Sequence, residues 1–192
     1  MTRPGPAFAT DLCPCTGDAT ALPTKPAPLS RRHALAALAA AGLTAGGMGR
    51  AQARPAAPGE TVRWPDVALL DGSPWGAERA RGKAVVVVFW STTCPFCLRH
   101  NAHIEKLRRA AIGRPLEMLT VARDKDPAAV RAYLERHGYG FAVTMAQQPM
   151  SAALYERRVI PVTVLVDRQG RLKQAIPGEM FEEDVLQFLQ EL

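Results

Sequence analysis

Cysteine is scarce in this chain: four residues in 192, grouped as Cys13/Cys15 and Cys94/Cys97. Two close pairs are too few for a disulfide-stapled scaffold, and a domain of about 130 residues has enough core to fold without staples. Aromatic residues make up 6% of the chain and nowhere interleave with a basic stripe. Half of the formal charge of +6 lies ahead of residue 54, where Arg3, Lys25, Arg31, Arg32 and Arg50 face only Asp11 and Asp18. That balance gives no reason to expect nucleic acid as a partner. Also missing is a clean apolar run of about 20 residues, the length that spans a bilayer.

Residues 1–60 are crowded with Ala, Gly and Pro, and the first alternating apolar pattern begins near Val62. Three regions are expected: a leader over 1–53, a linker over 54–61 and one folded domain over 62–192. Within the leader, Ser30-Arg31-Arg32-His33-Ala34-Leu35 opens a small, apolar run to Met48, closed by Arg50 and Ala51-Gln52-Ala53. This is the layout of a signal peptide resembling the twin-arginine type, with small residues for a peptidase and cleavage expected after Ala53. It predicts a periplasmic protein exported by a Tat-like route; the alternative is an uncleaved N-terminal anchor with the domain facing the periplasm. Cys13-Pro14-Cys15 lies upstream and would leave with the leader, and two thiolates alone do not complete a tetrahedral metal site.

Val62–Asp71 alternates loosely into Asp71-Gly72, as a peripheral strand entering a turn would. Lys83–Trp90 is a continuous apolar run suited to a central parallel strand buried on both faces. A helix is predicted from Pro95 to about Ala111, a strand over Leu116–Ala122, and a helix from Asp126-Pro127 to His137, ended by Gly138. A short strand over Phe141–Met145 and a short helix over Pro149–Arg157 follow. Val162–Val166 and Arg171–Ile176 then form a hairpin around Asp167-Arg168-Gln169-Gly170. Phe181–Leu192 closes the domain as an amphipathic helix with Val185, Leu186 and Leu189 inward. Such an order implies an α/β domain with a mixed sheet between helices.

Cys94-Pro95-Phe96-Cys97 follows the strongest strand and opens a helix. There the helix dipole and free backbone N–H groups favour a thiolate on the first cysteine. Cys94 is therefore the expected nucleophile and Cys97 the more buried thiol that resolves the mixed disulfide. A purely structural disulfide is the weaker reading, because closing so short a ring constrains the unfolded chain by only about 2 kcal/mol. A metal site built from Cys97, His100 and His103 is weaker still: the spacing is not that of a zinc finger, and these positions drift about 60° around a helix. His100 and His103 are accordingly expected to be solvated helix-face residues. A non-enzymatic metal-handling or chaperone module is the rival class, and a metal titration of the reduced protein separates it.

Taken together, Gly82-Lys83, the valine run with Phe89-Trp90, the Cys94–Cys97 motif, Ile160-Pro161-Val162-Thr163 and Asp167-x-x-Gly170 resemble the thioredoxin-like TlpA/ResA family of exported thiol–disulfide oxidoreductases. The resemblance covers about Val62 to Leu192. It implies a thioredoxin fold with an inserted βα unit between the Cys-helix and a cis-proline loop at Ile160-Pro161. It further implies that Ile160 backbone groups pair with a substrate chain, and that Trp90, Pro95 and Phe96 surround the dithiol. No cofactor is implied. The implied partners are periplasmic protein thiols and disulfides, with a membrane thiol transporter as electron donor. Val88 stands where thioredoxins carry a buried Asp, Thr93 where a Trp is common, and Val162 where haem-maturation members carry an acid. The family is mostly reducing, and Phe96 adds no charge or donor to the motif, so a reductase is expected over an oxidase or isomerase. A peroxiredoxin-like peroxidase is disfavoured, since Val87 and Ser91 fill the Pro and Thr positions of its usual motif.

Overall fold

The computed structural model describes residues 54–190. The leader, its signal-like segment and Cys13/Cys15 lie outside the described residues. In chain order the elements are β1 (Val67–Ala68), β2 (Pro74–Trp75), α1 (Ala77–Ala80), β3 (Ala84–Trp90), α2 (Pro95–Ala110), β4 (Leu116–Ala122) and α3 (Pro127–His137). They continue with β5 (Ala142–Thr144), α4 (Gln147–Leu154), β6 (Val162–Val166), β7 (Leu172–Pro177), α5 (Glu182–Gln187) and a 3-10 turn over Phe188–Gln190.

Five strands form one mixed sheet in the order β5-β4-β3-β6-β7. β3 runs parallel to β4 and antiparallel to β6, with Phe89 opposite both Val121 and Val162. Every residue of β3 is buried, which is why its sequence does not alternate: both faces are covered. Val85, Val87 and Phe89 face one core with Trp75, Met150 and Leu154. Val86, Val88 and Trp90 face the other with Cys97, Ile104, Leu107, Val130, Tyr133 and Val185. Each large apolar side chain so buried contributes about 1.5–3 kcal/mol, making β3 the strand the fold can least lose.

α2 starts on Pro95, whose missing N–H costs nothing in a first turn. α3 starts after Asp126, whose carboxylate accepts from Ala128 N at 2.8 Å, and stops at Gly138 with φ 65°. A left-handed residue there closes the helix, and only glycine takes it without strain. Between α2 and the Pro161 loop stand two βα units, β4-α3 and β5-α4, and the second gives the sheet its β5 edge.

Three expectations need correction. The strand expected over Val62–Asp71 shrinks to β1, which pairs with β2 in a two-stranded hairpin, while Leu69 just beyond it bridges to Thr144 and Leu70 N donates to Val143 O at 2.7 Å. That hairpin exists because Trp75 plugs one core at 1% exposure and donates to Glu117 Oε1 at 3.1 Å. The helix expected over Pro149–Arg157 instead spans Gln147–Leu154, so Pro149 lies within its first turn. The closing helix expected from Phe181 is regular only over Glu182–Gln187 and tightens into the 3-10 turn, where Phe188 is buried beside Val185.

Candidate active site

β3 and β4 run parallel, so their carboxyl ends deliver Ser91–Cys94 and Arg123–Asp124 to the same edge of the sheet. Arg123 N donates to Trp90 O at 2.8 Å, continuing the ladder one residue past the strands. Asp124 then gathers the loop ahead of the cysteines: it accepts from Thr92 N at 3.1 Å, Thr92 Oγ1 at 2.5 Å and Ser91 Oγ at 3.2 Å. Antiparallel pairing of β6 with β3 brings Pro161, just before Val162, to this edge, and the Ile160–Pro161 bond is cis. Ile160 packs against both cores, and Cys94 against the second.

Cys94 is the N-cap of α2. Its Sγ accepts from Cys97 N at 3.3 Å, a bond that strengthens when the sulfur is a thiolate. Cys97 is fully buried, and both cysteines are free thiols. Burial, then the bond with Cys94, pushes the Cys97 thiol up to about 12. The two sulfurs thus differ by environment: one is partly open at a helix start, the other sealed beneath it.

Around them, Trp90 is fully buried, with its ring 5.0 Å from Tyr133 and 6.1 Å from Phe141. Pro95 is exposed, and Phe96 presents 55% of its surface, with the Arg99 guanidinium 5.2 Å over its ring. Arg99 in turn forms a two-bond ion pair with Glu179, both contacts at 2.6 Å. Val159, beside Ile160, is also exposed. The structure therefore brings Cys94, Cys97, Trp90, Pro95, Phe96, Ile160 and Pro161 to one edge of the sheet.

His100 departs from its expected solvated place: it is completely buried. Cys97, His100, Ile104 and Leu107 recur at helical spacing along the core stripe of α2, so the spacing that argues against a metal also turns His100 inward. Both its ring nitrogens are engaged. Met180 N donates to Nδ1 at 3.3 Å, and Nε2 lies 2.8 Å from Thr163 Oγ1. Burial, with His103 nearby, pulls its pKa down to about 4. His103 is half-buried, 3.6 Å from Glu182.

Sequence reasoning also missed Asp124, Arg123 and Tyr133. For the first two a signal was available, because side chains just beyond the carboxyl ends of neighbouring parallel strands share one crevice. Tyr133 had no such signal; its place depends on how α3 packs against α2.

A mixed sheet covered on both faces by helices, with a dithiol at the start of the helix after its central strand, defines a thioredoxin-like thiol–disulfide oxidoreductase. The chain belongs to the Redoxin family, whose model matches residues 57–189. Among curated proteins it is similar to the thiol-disulfide oxidoreductase ResA of Geobacillus kaustophilus, at 30% identity over 67% of this chain and 75% of that protein. Of solved structures, a thiol:disulfide interchange protein of Chlorobium tepidum shares the fold with a TM-score of 0.64 at 22% identity, covering 73% of this chain and 97% of its own. A secreted Mycobacterium tuberculosis disulfide oxidoreductase homologous to Escherichia coli DsbE shares it with a TM-score of 0.59 at 18% identity, covering 67% and 96%.

Proposed function

We propose that the protein is an exported reductase of protein disulfides, with Cys94 as attacking thiol and Cys97 as resolving thiol. The observation that carries this reading is the asymmetry of the pair: Cys94 Sγ caps α2 and accepts a backbone N–H, while Cys97 is buried with its thiol pushed up to about 12. The Cys94 thiolate attacks one sulfur of a substrate disulfide, the substrate S–S bond breaks, and the departing sulfur leaves as a thiolate that takes up a proton. Cys97 then loses its proton and attacks Cys94 Sγ. The second substrate sulfur departs, and the protein keeps the disulfide, having given two electrons.

Ile160, Pro95 and Phe96 form the surface a substrate chain would meet, and the buried Pro161 and Trp90 back it from beneath. The exposed Phe96 and Val159 offer apolar contact beside the reacting sulfur, and the Ile160 backbone is the expected pairing edge for an extended chain. Partners on this reading are protein disulfides of the periplasm, and a membrane thiol transporter returns the electrons. The twin-arginine-like leader supports export, and the ResA-like relatives support the reducing direction.

The test uses the full chain. Cys97→Ser is expected to accumulate a mixed disulfide at Cys94 with a reducible protein substrate, whereas Cys94→Ser forms none. Equilibration with glutathione should place the potential near thioredoxin's, roughly −270 mV; a value near roughly −120 mV would reverse the assigned direction.

A further inference from the structure

Charge around the dithiol is one-sided. On the α2 side Arg99 is matched by Glu179 in its two-bond ion pair, so that flank is neutral. The segment that enters the cis bond is different: it reads Glu156-Arg157-Arg158-Val159-Ile160, and its first four residues are exposed. Arg123, at the end of β4, holds this segment in place. Its guanidinium donates to Arg157 O at 3.0 Å, while its backbone N–H is bonded to Trp90 O at 2.8 Å. Among the described residues none of Arg123, Arg157 and Arg158 is paired with a carboxylate.

The nearby acids are committed elsewhere. Asp124 takes the donors of Ser91 and Thr92, and Asp126 caps α3 through Ala128 N. Arg123 registers the imbalance. Burial lowers its pKa and Arg158 lowers it further, opposed only by Cys97 and Tyr155, which carry charge only when deprotonated. A half-buried cation beside two exposed ones, with no fixed counter-charge, favours an anion that docks against the three.

We propose that Arg157 and Arg158, backed by Arg123, form a docking surface for acidic substrates: protein disulfides that carry Asp or Glu within two or three residues of the attacked cysteine. The inference rests on the reading of Cys94 as attacking thiol and of Ile160 as pairing edge, and names the substrate class of that site. Arg158 is two residues from Ile160, within about 7 Å along the chain. Ile160 and Cys94 pack against the same core cluster, and an extended substrate advances about 3.4 Å per residue. A carboxylate two or three residues from the substrate sulfur therefore meets the arginines while the sulfur meets Cys94. A lysine in the same place meets like charge and is turned away. Charges at the rim of a contact act mainly on encounter, so the selectivity belongs to the second-order rate and weakens with salt.

The experiment is single-turnover reduction, by the reduced full chain, of two disulfide-linked peptide dimers. One carries Glu at the second and third positions to either side of its cysteine, the other Lys at the same positions. Each rate is divided by that of the same dimer with dithiothreitol, which cancels the effect of the flanking charges on the disulfide itself. At low ionic strength the acidic dimer is expected to react about fivefold faster, the scale of one or two exposed ion pairs. The preference should vanish in about 1 M salt, where charges are screened over about 3 Å. It should also fall to parity in the double variant Arg157→Ser, Arg158→Ser. It should persist in Arg63→Ser, Arg168→Ser, which removes the same charge by the β6–β7 turn at the opposite end of the sheet. Equal rates in wild type, a preference that survives the loop variant, or one lost equally in the distant variant would each overturn the proposal. A wild-type chain that reduces neither dimer would overturn the parent reading as well, and is distinguishable because no ratio can then be formed.

Discussion

His100 Nε2 and Thr163 Oγ1 lie 2.8 Å apart in the fully buried centre of the domain, joining the helix that carries the cysteines to the strand that follows Pro161. Because Met180 N donates to Nδ1, the ring proton resides on Nε2 and is donated to the threonine. A third element, the turn ahead of α5, is thereby held by the same ring. The arrangement works only with a neutral imidazole, since a proton on Nδ1 would face the Met180 N–H.

That neutrality predicts acid sensitivity. The His100 pKa is lowered from 6.5 to about 4, chiefly by burial, so between those values the unfolded chain binds the proton more readily. The contribution is intact above about pH 6.5 and is lost as pH falls towards 4, by about 3 kcal/mol. Urea unfolding of the full chain at pH 7, 5.5 and 4 should show this decline, and His100→Gln should be less stable at pH 7 with a flatter profile over the same range.

Thr163→Val tests the same contact from the other side. The shape is preserved while the acceptor of Nε2–H is removed, leaving a buried donor unpaired, which costs about 1–3 kcal/mol. In a double-mutant cycle with His100→Gln the two losses should not add, because both remove one bond. Additive losses would show that the residues act independently despite their distance.

Much of this organisation was legible in the sequence. The valine run could only be a doubly buried strand, and a CxxC straight after it, with Pro95 in the first turn, fixed the start of α2. Gly138 and Asp126 marked α3 at both ends. What was not legible depended on contacts between distant segments. His100 was read by its polarity, and its burial becomes sensible only once Thr163 and the Met180 amide stand opposite it. The β1–β2 hairpin is a tertiary product as well: Pro74-Trp75 has little strand character alone and is held by Trp75 in the core and by Glu117.

Asp124 offers a third prediction. Its carboxylate takes three donors from Ser91 and Thr92, the residues that carry the chain from β3 to Cys94. Asp124→Ala is expected to cost about 2 kcal/mol, since bonds to a charged acceptor are worth about 1.5–3 kcal/mol. The Thr92 amide should also exchange its hydrogen faster than in wild type. Unchanged exchange there would mean that the loop is held by the strand and helix ends alone.

The last prediction concerns acid denaturation through Glu105 on α2. Burial alone would raise this carboxyl, yet hydrogen bonds from Arg108, the Gly140 amide and Arg109 outweigh it and hold the group at about 2. The bonds are 2.7 and 2.9 Å to Arg108, 3.0 Å to Gly140 N and 2.9 Å to Arg109. With the folded value below the ordinary 4.5, its stabilisation is complete above about pH 4.5 and is lost as pH falls towards 2. Glu105→Gln should remove up to about 3 kcal/mol at pH 7, because the two arginines lose their counter-charge and the Gly140 amide its charged acceptor. The same variant should match wild type more closely near pH 2, where the wild-type carboxyl is itself becoming neutral. Chemical denaturation at pH 7 and near pH 2 decides it: a gap between the two proteins that stays constant with pH would show that the side chain contributes by packing and not by its charge.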